Sequence, residues 1–160
     1  MIARRQLVRL AAGALAAAAL PRRARAEEEE VAHRFYPLLV DLPGWAAGRP
    51  GGMTMKKFGA TMIMAVREYR RGEAVVTAQV TIMHAVWTWR GMLGIKAGRH
   101  DPIGEPKVTK IPLYDTFGMV SVTLAADSQF ALSFHGIPSA EALALAQRFD
   151  VKAIQAALPE

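Results

Sequence analysis

Apolar and polar residues alternate along two neighbouring segments near the middle of the chain. Residues 61–67 place Met62 and Met64 at alternate positions, and residues 75–82 do the same with four apolar side chains: Val76, Ala78, Val80 and Ile82. A two-residue period is typical of a strand with one apolar face. Because Arg70-Arg71-Gly72-Glu73 is a turn signal, the pattern predicts an antiparallel hairpin with Met62 and Met64 in the core.

Three more segments have the character of strands. Lys107–Leu113 is predicted as an edge strand, because Pro112 has no N–H to donate to a neighbouring strand. Residues 117–124 and 129–135 are predicted as strands that flank a turn at residues 125–128.

The carboxyl end of the chain has helical spacing. Ser139 is predicted to cap the start of a helix, and Glu141 then lies in its first turn, where an acidic residue is favourable. Apolar residues keep this spacing from Leu143 to Leu158, across Asp150. The pattern predicts either one bent helix or two short helices, the second capped by Asp150.

Other segments are predicted to connect these elements. Arg49-Pro50-Gly51-Gly52 predicts a turn or loop, and residues 27–32, which open with four glutamates, predict a flexible leader. Trp87–Ile95 fits a helix or a strand equally well. The whole pattern predicts one α+β domain over residues 33–160: an antiparallel sheet of about five strands with a carboxyl-terminal helix packed on one face.

The first 26 residues have the organisation of a cleavable export signal. A basic start is followed by an 11-residue apolar run, Leu10–Leu20, and then by Ala24-Arg25-Ala26. The run is about half of the roughly 20 residues that a spanning helix needs, so no permanent membrane anchor is expected. Cleavage is predicted before Glu27. The alternative is an amphipathic helix that belongs to the fold.

The start of this segment resembles a twin-arginine signal. Arg4 and Arg5 are followed by Gln6, two apolar residues and Arg9, and the apolar run is mostly alanine. The resemblance implies recognition by the export machinery and a periplasmic destination. Ala3 and Leu7 depart from the usual residues of the family pattern.

The distribution of charge excludes a nucleic-acid role. The whole chain has a formal net charge of +6, and residues 1–26 contain six arginines and no acidic residue. From residue 27 onward, the other fourteen of the twenty basic residues are balanced in charge by all fourteen acidic residues. Since the predicted mature domain is neutral, its composition does not favour binding to a phosphate backbone.

The chain contains no cysteine. Disulfides, thiolate catalysis and sulfur-ligated zinc or iron are therefore excluded for this chain.

The order of elements is similar to that of the PsbP-type α/β sandwich proteins. Members of that family often begin near a Pro-Gly-Trp, which is Pro43-Gly44-Trp45 here. The tail, Asp127–Leu158, also resembles small exported bacterial proteins of unassigned role. The resemblance covers residues 36–158 and implies a binding or assembly role rather than an enzyme; it transfers no functional residue.

Methionines are the first candidate for chemistry. Met53 and Met55 form an M-x-M pair, and thioethers can hold Cu(I) in an exported protein. With His84 they make an alternative function, copper handling, although the neighbouring Lys56 and Lys57 disfavour a cation. The main prediction is that the protein binds no cofactor, and copper is the alternative.

Histidines provide a third hypothesis, a small hydrolase. His33, His84, His100 and His135 show no metal-ligand spacing, and no nucleophile lies in a G-x-S-x-G turn. We therefore predict no catalytic residue.

The remaining candidates form a docking surface for a protein or small molecule. Trp87 and Trp89 lie in a glycine-flanked segment, and paired tryptophans often line pockets or interfaces. Arg67, Arg70 and Arg71 are predicted to form a basic patch on the outer face of the hairpin. These residues predict a non-enzymatic, exported accessory or binding protein.

Overall fold

The computed structural model describes residues 29–57, 60–85, 102–110 and 115–159. Residues 29–33 are helical, and Tyr36–Leu38 form a 3-10 turn. Ala32 is buried in the core, and Glu30 pairs with Arg34 one helical turn away at 3.5 Å. The described part of the predicted leader 27–32 is thus helical, because Ala32 has a buried surface to pack against.

Seven strands and two short carboxyl-terminal helices make up the rest of the described chain. Every pair of neighbouring strands is antiparallel, and the order across the sheet is β1-β3-β4-β7-β6-β5, with β2 also paired to β3. The strands are β1 (Ala46–Ala47), β2 (Gly51–Lys57), β3 (Ala60–Arg71), β4 (Ala74–Ala85), β5 (Lys107–Lys110), β6 (Phe117–Ala125) and β7 (Ser128–His135); the helices are α1 (Ser139–Ala146) and α2 (Val151–Ala156).

The α+β class and the antiparallel sheet are confirmed, but the prediction of about five strands is wrong. The missed strands are β1 and β2, and β2 begins inside the predicted loop, at Gly51. A Cβ on Gly52 would lie 2.7 Å from the Tyr36 hydroxyl and 2.9 Å from the Ala32 Cβ. Glycine is therefore needed where the edge strand passes the amino-terminal helix, and pairing with β3 overrides the local loop preference.

The predicted central hairpin is confirmed. β3 and β4 are joined by the two residues Gly72 and Glu73, and Arg71 pairs with Ala74. Gly72 has φ 61°, a conformation that glycine adopts without a steric penalty.

The carboxyl end forms two short helices rather than one bent helix. Asp150 caps α2, since its carboxylate accepts from the amides of Lys152 and Ala153 at 3.1 and 3.0 Å. The expected cap of α1 is different: Ser139 is already helical, and its hydroxyl donates to Asp115 at 2.9 Å.

The core lies between α1, α2, the amino-terminal segment and one face of the sheet, which we call the inner face. The even-numbered side chains of β4 and β7 lie on the inner face. Ile154 of α2 belongs to the same core cluster. Phe149, which follows α1, packs its ring 4.9 Å from that of Phe130 and 6.3 Å from that of Tyr69. Trp45 is buried in the same core.

The prediction that Met62 and Met64 fill the core is wrong. In β3 the buried positions are Ile63, Ala65 and Tyr69, which have the opposite parity. Directly opposed residues share a face, and Ile63 pairs with Ile82 of β4, an inner-face residue. Both faces of β3 are apolar, so its own alternation does not decide which one is buried.

No helix among the described residues has the length and apolarity to cross a bilayer.

Candidate functional site

The outer face of the sheet, opposite the helices, carries exposed apolar side chains. Met83 on β4 is 41% exposed and Phe117 on β6 is 43% exposed, whereas inner-face residues of the same strands are almost fully buried. Scattered apolar residues on a surface are ordinary, but contiguous groups of them mark binding surfaces. Among the residues that the structure describes, two such groups lie at opposite ends of the outer face.

The first group is the methionine cluster, which we define as Met53, Met55, Met62, Met64 and Met83. Strand pairing places Met53 opposite Met64, Met55 opposite Met62, and Met62 opposite Met83. Direct cross-strand neighbours have Cβ atoms about 4.5–5.5 Å apart. The cluster therefore brings five thioethers of β2, β3 and β4 onto one face.

Burial differs within the methionine cluster. Met53 and Met55 are 49% and 45% exposed, whereas Met62 and Met64 are half-buried. Beside them, Thr81 pairs with Met64 and is buried, and within the described chain its hydroxyl has no hydrogen-bond partner. A buried hydroxyl without a hydrogen-bond partner is costly and uncommon in folded proteins.

The second group forms a groove at the other end of the outer face. Ser133 of β7 lies in the groove, and Gln129 of β7 lies in the same cross-strand row as Thr81 of β4 and Met64 of the methionine cluster. These two positions are four residues apart, which corresponds to about 13 Å along the strand. The groove has a volume of about 390 Å³ and is lined by Val75, Thr77, Thr109, Lys110, Phe117, Gly118, Met119, Ser133, Phe134 and His135.

The rim of the groove is held by polar and aromatic contacts. The rings of Phe117 and His135 meet edge to face at 5.7 Å. Lys110 donates to Asp115 at 2.7 Å, and this bond together with the one from Ser139 lowers the pKa of the Asp115 carboxyl. Ser133 donates to the Thr77 carbonyl at 3.5 Å rather than to His135. The groove thus offers an apolar floor with hydroxyl and imidazole groups at its side.

The structure places Arg67 on the inner face, not on the outer face that the sequence pattern predicts. Arg67 donates to the carbonyls of Leu39 and Gly48 at 2.5 and 2.9 Å and pairs with Asp41 at 2.5 Å. Its side chain is only 17% exposed. Arg67 therefore ties the amino-terminal segment to the sheet.

The other two predicted docking arginines also have partners. Arg70 pairs with Glu68 at 2.6 Å, and both side chains are exposed. Arg71 pairs with Glu141 at 2.6 Å, and its guanidinium lies 4.4 Å from the ring centre of Trp45. The three arginines are brought near one end of β3, but they are divided between its two faces.

Other predicted residues lie outside the described residues: the signal residues Arg4, Arg5, Ala24 and Ala26, the segment Trp87–Ile95 with Trp87 and Trp89, and His100. His84 pairs with Thr61 in the β3–β4 ladder, and its side chain is outside what the structure describes. Across residues 29–57, 60–85, 102–110 and 115–159, no three His, Asp or Glu side chains are grouped as metal ligands.

Sequence reasoning missed Met62, Met64 and Met83 as surface residues. The hairpin turn contained the signal that could have found them. A two-residue connection at Gly72 and Glu73 places residue 62 opposite residue 83 and residue 65 opposite residue 80. Since Val80 belongs to the clear apolar face of β4, this register assigns the even positions of β3 to the outer face.

Comparison of the chain with protein-family models, with curated proteins and with solved structures found no match.

Proposed function

We propose that the protein is an exported, periplasmic, non-enzymatic binding protein that takes a small amphiphilic molecule in the groove of its outer face. The observation that carries the proposal is the groove itself: about 390 Å³ on a sheet face whose opposite side is closed by the core. Sites for small molecules usually measure about 300–1,000 Å³ and combine an apolar lining with a few polar groups.

The lining supports an occupant with an apolar body and one polar end. Val75, Phe117 and Met119 offer apolar contact surface, and Phe117 is 43% exposed. His135 and the hydroxyls of Thr77 and Ser133 can form hydrogen bonds with the polar end. An aromatic ring could stack on Phe117 with its polar substituent towards His135.

The test uses a fluorescent probe of this shape, 8-anilinonaphthalene-1-sulfonate, which has an aromatic body and one anionic end. Phe117→Ala should weaken probe binding by about fivefold or more, as expected for a contact worth about 1 kcal/mol or more. Val108→Ala is the matched control, since Val108 is 39% exposed but does not line the groove.

Near-ultraviolet circular dichroism must show the native fold in both variants, because the same probe also binds partly unfolded proteins. Equal probe affinity in wild type and Phe117→Ala would refute the groove as the binding site.

Export is supported by the twin-arginine pattern and tested separately. Replacing both arginines, Arg4→Lys and Arg5→Lys, should leave the uncleaved chain in the cytoplasm, because the machinery reads the arginine pair. Mass spectrometry of the wild-type protein recovered from the periplasm should show an amino terminus at Glu27. A wild-type product that begins at Met1 would contradict the proposal.

The alternative function, copper handling, depends on the opposite end of the outer face. It is favoured by the grouping of five thioethers, two of which, Met53 and Met55, the sequence already singles out.

A further inference from the structure

We propose that three thioethers of the methionine cluster, those of Met55, Met62 and Met83, bind one Cu(I) ion. These residues occupy one row across β2, β3 and β4, in which Met62 lies directly opposite both of the others. The proposal deepens the alternative function and is independent of the groove. It differs from the site expected from the sequence, because it needs Met62 and Met83 and does not need His84.

Cross-strand geometry makes the row suitable for one ion. Direct neighbours have Cβ atoms about 4.5–5.5 Å apart, and methionine has three rotatable bonds, so the sulfur atoms can turn towards a common point. Met53 and Met64 lie in the next row, two residues along each strand and about 7 Å away. They can shield the ion or replace a ligand.

The exposure of these side chains also supports a ligand role. Met55 and Met83 are 45% and 41% exposed, so neither is needed to fill the core, and the inner face of β3 is filled by Ile63 and Ala65 instead. Met55 and Met83 are therefore accessible to an ion from solvent, and the half-buried Met62 lies between them.

The chemistry selects a soft monovalent ion. Thioethers are soft, uncharged ligands that suit Cu(I) and leave harder ions such as Zn²⁺ to nitrogen and oxygen ligands. Of the two lysines expected to disfavour a cation, Lys57 has the same parity in β2 as Met55, whereas Lys56 does not. Lys56 alternates with Met55 along β2 and pairs with Thr61, so it belongs to the other face.

A thioether ligand also has a distinctive pH dependence. Cysteine and histidine must lose a proton before they bind a metal, so their affinity falls in acid. A thioether has no proton to lose in this range. The affinity of an all-thioether site should therefore be the same at pH 5.5 and pH 7.5.

The experiment is a competition titration of the purified protein with Cu(I), supplied anaerobically as its acetonitrile complex, against bicinchoninate. Wild type should take up one equivalent. Met62→Leu should weaken binding by more than roughly tenfold, the smallest loss typical even of an outer-shell partner. Met119→Leu is the matched control, because Met119 lies on the same face but lines the groove, and its affinity should be unchanged.

A second measurement keeps the assignment falsifiable if Met62→Leu alters packing. In wild type, one equivalent of the redox-inert Ag(I) should shift the methyl resonances of Met55, Met62 and Met83, with the Met119 methyl unmoved. Uptake that is equal in wild type and Met62→Leu would overturn the site. A loss of affinity between pH 7.5 and pH 5.5 would also overturn it, since it would require a histidine ligand such as His84. Binding of an apolar peptide to the cluster without metal uptake would assign the surface to a protein partner instead.

Discussion

The two faces of the same sheet differ in what their side chains do. On the inner face, Val76 of β4 and Phe130 of β7 are fully buried against the helices and the amino-terminal segment. On the outer face of β4 and β6, Met83 and Phe117 leave two fifths of their surface exposed. Both faces belong to the same hydrogen-bonded strands, so the difference in exposure comes from the helices and the amino-terminal segment that pack on the inner face. The inner face holds the fold together, whereas the outer face keeps large apolar side chains exposed.

The largest effect is expected from Phe130→Ala on the inner face. Phe130 is 0% exposed and packs against Phe149, so truncation should lower the free energy of unfolding by about 3–5 kcal/mol. Gln129→Ala, one residue away on the exposed outer face, should change it by less than about 0.5 kcal/mol. Urea denaturation measures both. Similar losses in the two variants would remove the distinction between the faces.

The next effect is expected from Arg67→Ala. This change removes the ion pair with Asp41 and leaves the carbonyls of Leu39 and Gly48 without their donor, at a cost of about 2 kcal/mol. Arg70→Ala breaks a pair with Glu68 in which both side chains are exposed, and should cost less than about 1 kcal/mol. If the Arg70 variant unfolds at the lower urea concentration, the structural role given to Arg67 is incorrect.

A smaller effect is expected at alkaline pH. Burial, opposed in part by Arg67, raises the pKa of Tyr69 from 10.0 to about 12. Because the folded pKa is the higher one, the stability from the neutral phenol is complete below pH 10 and is lost as the pH rises towards 12.

The measurement is the free energy of unfolding between pH 9 and pH 12 for wild type and Tyr69→Phe. Wild type should lose more stability over this range than the variant, which has no phenol to ionise at this position. Parallel curves would show that Tyr69 is not protected by the inner face.

The smallest effect on stability is expected from Met62→Leu and Met64→Leu. Both side chains are half-buried on the outer face, and leucine has nearly the same volume, so each change should cost less than about 1 kcal/mol. Ile63→Ala, between them on the inner face, should cost about 2–5 kcal/mol. Thermal unfolding compares the three. A loss at Met62 as large as that at Ile63 would mean that both faces are core.

Several elements were predictable because local signals agreed with the final contacts. The β3–β4 turn at Gly72 and the cap of α2 at Asp150 depend on residues close to each other in the chain. The prediction of which face of β4 is buried was also correct, because its apolar residues alternate with mainly polar ones and so indicate one face only. At these positions, propensity, pattern and packing all favour the same conformation.

Of the candidate site, only Met53 and Met55 were found from the sequence. The groove lining comes from four strands, β4, β5, β6 and β7, and no local pattern predicts that they meet. Met62 and Met83 are 21 positions apart, and they become neighbours only through the register of the hairpin.

The sequence alone therefore determined the antiparallel α+β class, the central hairpin and the helical carboxyl end, since each depends on short-range spacing and turn chemistry; the choice of two short helices over one bent helix came from the structure. Tertiary structure decided which face of β3 is buried and turned a glycine-rich loop into an edge strand. The physical reason is the same in both cases. A strand that is apolar on both sides, or that contains glycines, has no strong local preference, so its neighbours across the sheet decide its place.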